Sequence, residues 1–131
     1  MIIEAFRNQL YTDSGVSAIT TAIYPMQIPQ GVGFPALHYS VDGDDDEYVL
    51  DGNAGSLKEA LFSVDCFDTS IITAHTLADA VEAALVGLHG DMGGLSPSQV
   101  VDTVQKQRRF DTYESDSKLY RVSLQFLVAY Y

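Results

Sequence analysis

The last thirteen residues constrain the fold more than any other stretch. From Leu119 to Tyr131 the chain sets Tyr120, Val122, Leu124, Phe126, Val128 and Tyr130 against Arg121, Ser123 and Gln125. A period of two is the mark of a strand with one face buried. At about 3.3 Å per residue such a strand runs roughly 40 Å. It needs other strands beside it and a layer over its apolar face. Its length also makes it a candidate to reach past a small core and pair with a neighbouring molecule.

The covering layer and the partner strands are legible upstream. Ile2 to Tyr11 carries Ile2, Ile3, Phe6 and Leu10 at helical spacing, and Asp13-Ser14-Gly15 ends it. A second helix begins after Asp68-Thr69-Ser70, where Thr69 or Ser70 can cap it. Its apolar stripe is Ala74, Leu77, Ala78, Val81, Ala84, Leu85 and Leu88, with His75, Asp79 and Glu82 on the wet side. Gly87, Gly90, Gly93 and Gly94 then predict a flexible connection.

Leu57 to Phe67 alternates, with Lys58, Ala60, Phe62, Val64 and Cys66 on the side expected to face the core. Phe34 to Val41 reads as a strand with Phe34, Ala36, His38 and Ser40 opposite Leu37, Tyr39 and Val41. Ala22 to Ile28, broken by Pro25 and closed by Pro29-Gln30-Gly31, reads as an edge strand or a fixed loop. Asp42 to Glu47 reads as an acidic turn, Tyr48-Val49-Leu50 as a brief extended piece, and Asp51 to Gly55 as a loop. Ser98 to Phe110 is a strand of mixed polarity, followed by a polar turn over Asp111 to Lys118. The expected fold is α+β: an antiparallel or mixed sheet packed on one side by two helices, in a single domain spanning residues 1–131.

Composition narrows the function. The formal charge is -11, with only seven Lys and Arg, whose one adjacent pair is Arg108-Arg109. Gripping phosphates requires cations that displace counterions, so direct nucleic-acid binding is not expected. With one cysteine, Cys66, the chain has no internal disulfide or multi-thiolate zinc site. No apolar run approaches the roughly 20 residues needed to span a bilayer. Glu4 stands near the start and no basic region precedes an apolar stretch, so no signal peptide is expected and no membrane partner is implied.

No constellation for catalysis emerges. His38, His75 and His89 fall on a strand, a helix face and a helix end, with no ligand spacing between them. A Cys66–histidine pair is open to a thiol hydrolase in principle, but Cys66 is expected in the core. The Asp-rich run fails as an EF-hand, because its sixth position is Glu47 where a glycine is needed and its twelfth is Asn53. Neither a phosphate-cradling loop nor Gly-x-Ser-x-Gly is present. No cofactor, metal or catalytic residue is expected.

Several segments together resemble the phage tail-terminator (tail-completion) family. They are Ile23-Tyr24-Pro25, Pro29-Gln30-Gly31, Phe34-Pro35-Ala36-Leu37-His38-Tyr39, Leu50-Asp51-Gly52, Val64-Asp65-Cys66-Phe67, and Tyr113 through Arg121 with Ser123, Phe126, Val128 and Tyr130. The acidic run from Asp42 to Glu47 is longer than the resemblance leads one to expect. The resemblance implies a ring, usually a homohexamer, that binds the end of the tail tube, stops its polymerisation and offers a surface to the head connector. It implies a non-enzymatic virion protein at the head-proximal end of the tail, assembled in the host cytoplasm, with DNA passing through the lumen unbound. Its partners would be further copies, the tube protein and a head-completion or connector protein.

Closing a ring takes a heterologous interface, so two different edges of each subunit must meet. The candidate interface residues are Tyr24, Pro25, Pro29, Gln30, Asp44, Asp45, Asp46, Arg108, Arg109, Tyr120 and Arg121. The prolines serve equally as loop stiffeners and the tyrosines as core. Alternatives to a terminator are a connector subunit one ring closer to the capsid, a small thiol hydrolase using Cys66, and a ligand-binding module of the host.

Overall fold

In a computed structural model, the backbone is described for residues 1–48 and 54–131, and side chains for residues 1–44 and 57–131. The chain runs α1 (Ile2–Thr12), α2 (Ser14–Ser17), β1 (Ile23–Pro25), β2 (Ala36–Tyr48), β3 (Ala54–Asp68), α3 (Ile71–Leu85), β4 (Gly90–Met92), β5 (Gln99–Glu114) and β6 (Leu119–Tyr130). One six-stranded mixed sheet has the order β1-β2-β3-β6-β5-β4. Among the described residues β1 pairs in parallel with β2, and the other pairings are antiparallel. The α+β expectation is met, with a third helix, the four-residue α2, beyond the two read from sequence.

The core lies between the sheet and the helices. Ala60, Phe62, Val64 and Cys66 of β3 are buried beside Val122, Leu124, Phe126 and Val128 of β6, so both alternations point as their patterns predict. The stripe of α3 and the face of α1 formed by Ile2, Ala5, Phe6 and Leu10 close over them. Phe6 stacks on Phe62 with ring centroids 4.0 Å apart and meets Phe126 and Tyr39 at a tilt. Gln9 ties α1 to the far side: its Nε2 donates to the Ala84 carbonyl, and its Oε1 accepts from the Gly93 N–H.

Several expectations are corrected. The acidic run is not a turn: β2 continues through it, each residue from Asp44 to Asp46 paired with one of β3. A neighbouring strand supplies the ladder hydrogen bonds, and bulges after Val41 and Asp46 absorb the irregularity. The last strand is no edge, because β6 lies between β3 and β5 and is paired on both sides. The strand before it runs on to Glu114, shortening the turn to residues 115–118. Gly90–Met92 forms β4 against β5 where a flexible connection was expected. At the start of α3, neither Thr69 nor Ser70 caps with its side chain; the Asp68 carboxylate accepts from the Ser70 N–H instead. The extended piece at Val49-Leu50, the loop from Asp51 and the Leu50-Asp51-Gly52 motif lie outside the described residues.

Candidate functional site

The candidate residues fall into three groups and do not form one site. The first lies at the β1 end of the sheet. Tyr24 and Pro25 sit on β1, beside His38 and Tyr39 of β2. The chain then turns at Met26, which has φ 69 although it is not glycine, and which is 71% exposed. A non-glycine residue held there is strained; the Met26 N–H donates to the Tyr39 carbonyl. Pro29 and Gln30 follow and line a cleft of about 420 Å³ together with His38, Phe67, Glu114 and Leu119. Arg121 borders it indirectly, bonded to Glu114 at 3.2 Å and lying over the Phe67 ring. Burial lowers the pKa of His38, against the Asp65 carboxylate 3.5 Å away, which raises it.

The second group is a polar row on the sheet face away from the helices. Asp42 receives the hydroxyl of Ser63 and, at 3.3 Å, the Gln125 amide. Arg108 stands opposite Gln125 on β5, its guanidinium 4.6 Å over Phe110. Asp44 turns the other way and accepts from the Tyr130 hydroxyl at 2.7 Å. The backbones of Asp45 and Asp46 continue β2, while their side chains lie outside the described residues.

The third group joins α3 to β5. Arg109 reaches Asp79 at 2.8 Å, Glu82 at 2.5 Å and His75 Nδ1 at 2.7 Å. Lys106 pairs with Glu82, and His75 Nε2 with Asp111. Burial pulls the Arg109 pKa down, but the hydrogen bonds to Asp79 and Glu82 hold it above its ordinary value. Arg109 thus serves as a clasp inside the subunit, whereas its neighbour Arg108 faces solvent. Tyr120 packs on Tyr113 and against the core. The α3–β5 clasp was missed from sequence because its partners are some thirty residues apart; the i, i+3 spacing of Asp79 and Glu82 was the available signal.

Among the described residues, Cys66 and the three histidines do not form one cluster. Cys66 is fully buried, set between Leu37 and Val122, and burial pushes its thiol far above the ordinary range. A thiol buried in this way is shielded from any substrate, so the geometry lends the hydrolase alternative no support. His38, His75 and His89 each have a different partner: Asp65, Asp111 with Arg109, and the Asp102 carbonyl. Among the described residues no three His, Cys, Asp or Glu side chains converge as metal ligands, and no helix is long and apolar enough to cross a membrane.

This arrangement of polar surfaces on long strands accords with the family to which the sequence compares. The profile of the family described as tail completion protein gp17 matches residues 4–131. The chain belongs to that family. As a tail completion protein it is a structural, virion-associated component of a phage tail. A chain of a solved structure, described as the virion of a native gene transfer agent particle, shares the fold with a TM-score of 0.68. It is 23% identical, and the match covers 98% of this tail completion protein and 93% of that chain. No curated protein matches.

Proposed function

We propose that the protein caps the head-proximal end of the tail tube as a homohexameric ring, stops tube polymerisation and presents the joining surface for the head connector. Membership of the tail completion family across residues 4–131 carries this reading. Two features of the chain support it. The sheet has different edges on its two sides, β1-β2 and β5-β4, as head-to-tail ring closure requires. The charge of -11 suits a conduit through which DNA slides without adhering.

The working surfaces in this reading are the prolyl cleft with Tyr24, Pro25, Pro29 and Gln30, the acidic half of β2, and Arg108, with the tube protein and the connector as partners. Free subunits are monomers in equilibrium with rings, and added salt raises the ring fraction by screening self-repulsion. The test is to add purified protein to headless tails and to tailless heads. Binding to tail ends, with tail length no longer growing, is expected. Binding to heads alone would move the protein one ring toward the capsid, to a connector role.

A further inference from the structure

Among the described residues, two stretches of strand backbone have a strand partner on one side only, on opposite edges of the sheet. β1 pairs with β2 only from Leu37 to Tyr39, so among the described residues Ser40 to Tyr48 has β3 as its sole strand neighbour. On the other edge β4 pairs with β5 only from Gln99 to Val101. Gly87 N–H and His89 Nδ1 reach the carbonyls of Val104 and Asp102. From Gln105 to Glu114 the only strand neighbour is β6, again among the described residues. Each uncovered half-edge is about 30 Å long.

Their directions match. Successive antiparallel pairings from β2 through β3 and β6 to β5 leave β5 antiparallel to β2. A neighbouring copy in the same orientation therefore offers its β5 antiparallel to this β2. Their heights differ: Asp44 shares a row with Ala60, Val128 and Val104, while Phe110 shares one with Ser123, Asp65 and His38. Filling both half-edges needs a shift of about five residues, roughly 17 Å, over a lateral step of four strands, roughly 19 Å. The strands then tilt about 40° from the ring axis, within the range of about 35–45° that closed sheets adopt.

Charge matches as well. The β2 half-edge contains Asp42, Asp44, Asp45, Asp46 and Glu47; the β5 half-edge contains Lys106, Arg108 and Arg109, with Asp111 and Glu114 engaged by His75 and Arg121. Lys106 and Arg109 are engaged by Glu82 and Asp79, but Arg108 makes no ion pair among the described residues. The shift that fills both edges sets Arg108 beside the Asp44–Asp46 run of the next copy. Bulges after Val41, Asp46 and Lys106 break the regularity of both edges. Bulges and charge discourage indiscriminate pairing and leave the complementary edge as the fitting partner.

We propose that adjacent copies join by antiparallel pairing of Ser40–Tyr48 of β2 with the Gln105–Tyr113 part of β5, keyed by Arg108 against the acidic run. This rests on the ring reading above. The test compares wild type, Arg108→Glu, Asp45→Lys and the double reversal, for rings by sedimentation and for capping of purified tails, with folding followed by circular dichroism. Each single reversal is expected to lose the ring species and the double to regain it. Singles that form rings like wild type, or a folded double that stays as impaired as the singles, overturn the pairing.

A second arm uses Gly43→Cys with Phe110→Cys on a Cys66→Ala background. Gly43 has open space where a side chain would stand, and Phe110 is 42% exposed. Oxidation should give a ladder of cross-linked species up to the closed ring; rings without cross-links overturn the pairing while leaving the terminator reading intact. Wild type that neither forms rings nor binds tails removes that reading itself.

Discussion

Phe6 is the residue through which α1 holds the sheet, and replacing it with alanine should be among the most damaging single changes to the subunit. The ring is wholly buried, stacked on Phe62 at 4.0 Å with an interplanar angle of 8°, and bordered by Tyr39 and Phe126 at 6.4 and 6.5 Å. Buried Phe→Ala changes cost about 3–5 kcal/mol, because the transfer energy is lost and a cavity remains. Aromatic pairing contributes about 0.5–1.5 kcal/mol beyond area. Phe6 has three aromatic neighbours, which places Phe6→Ala near 4–5 kcal/mol. That is a large share of the roughly 5–15 kcal/mol typical of a domain. Phe6→Leu keeps much of the apolar volume and should lose about half as much. Urea denaturation followed by far-ultraviolet dichroism measures both. A loss below about 1.5 kcal/mol for Phe6→Ala, with an unchanged m-value, would refute the anchoring of α1 through this stack.

Three further outcomes follow from the same packing. Gly93 has φ +76, and a Cβ there would lie 2.5 Å from the Ala5 carbonyl oxygen, whereas Gly94, at φ +64, opens on empty space. Gly94→Ala should cost about 1–2 kcal/mol for the left-handed backbone alone; Gly93→Ala should cost visibly more by the same denaturation, and equal losses would contradict the close approach. His38 titrates below its ordinary value when folded, so the unfolded chain takes the proton first. The stability it contributes is full above about pH 6.5 and is lost as pH falls through the folded pKa. Between about pH 7.5 and 5.5 wild type should lose more stability than His38→Gln, and parallel curves would count against it. Cys66 should resist thiol reagents in the native state and react only at the rate of opening, as followed by the colour released from an aromatic disulfide; rapid native labelling would contradict its burial.

Much of the fold was legible in the sequence because long, regular alternation reports which face of a strand is buried. Ala60 through Cys66 and Val122 through Tyr130 point inward as their spacing implies. Alternation does not report which strands flank a given one, so β6 reads as free to pair with a neighbouring molecule yet lies inside the sheet. The Asp run reads as a turn because aspartate disfavours strands. It nevertheless extends β2, since β3 supplies its ladder. The elements α2 and β4, of four and three residues, are too short to show a period.

The candidate residues were partly legible for similar reasons. Strand alternation puts Arg108 and Arg109 on opposite faces, and the bulge after Lys106, invisible in sequence, decides which of the two meets the helices. One clasps α3 and the other is left available. The uncovered half-edges follow only from how far β1 and β4 extend, a three-dimensional property that no local pattern encodes.

The central claim is the ring at the head-proximal end of the tail, and electron cryomicroscopy of tails capped by the purified protein tests it most directly. The account predicts six copies closing around the lumen at that end alone, with strands of adjacent copies side by side. Density elsewhere on the tail, or single copies bound without a closed ring, would contradict it.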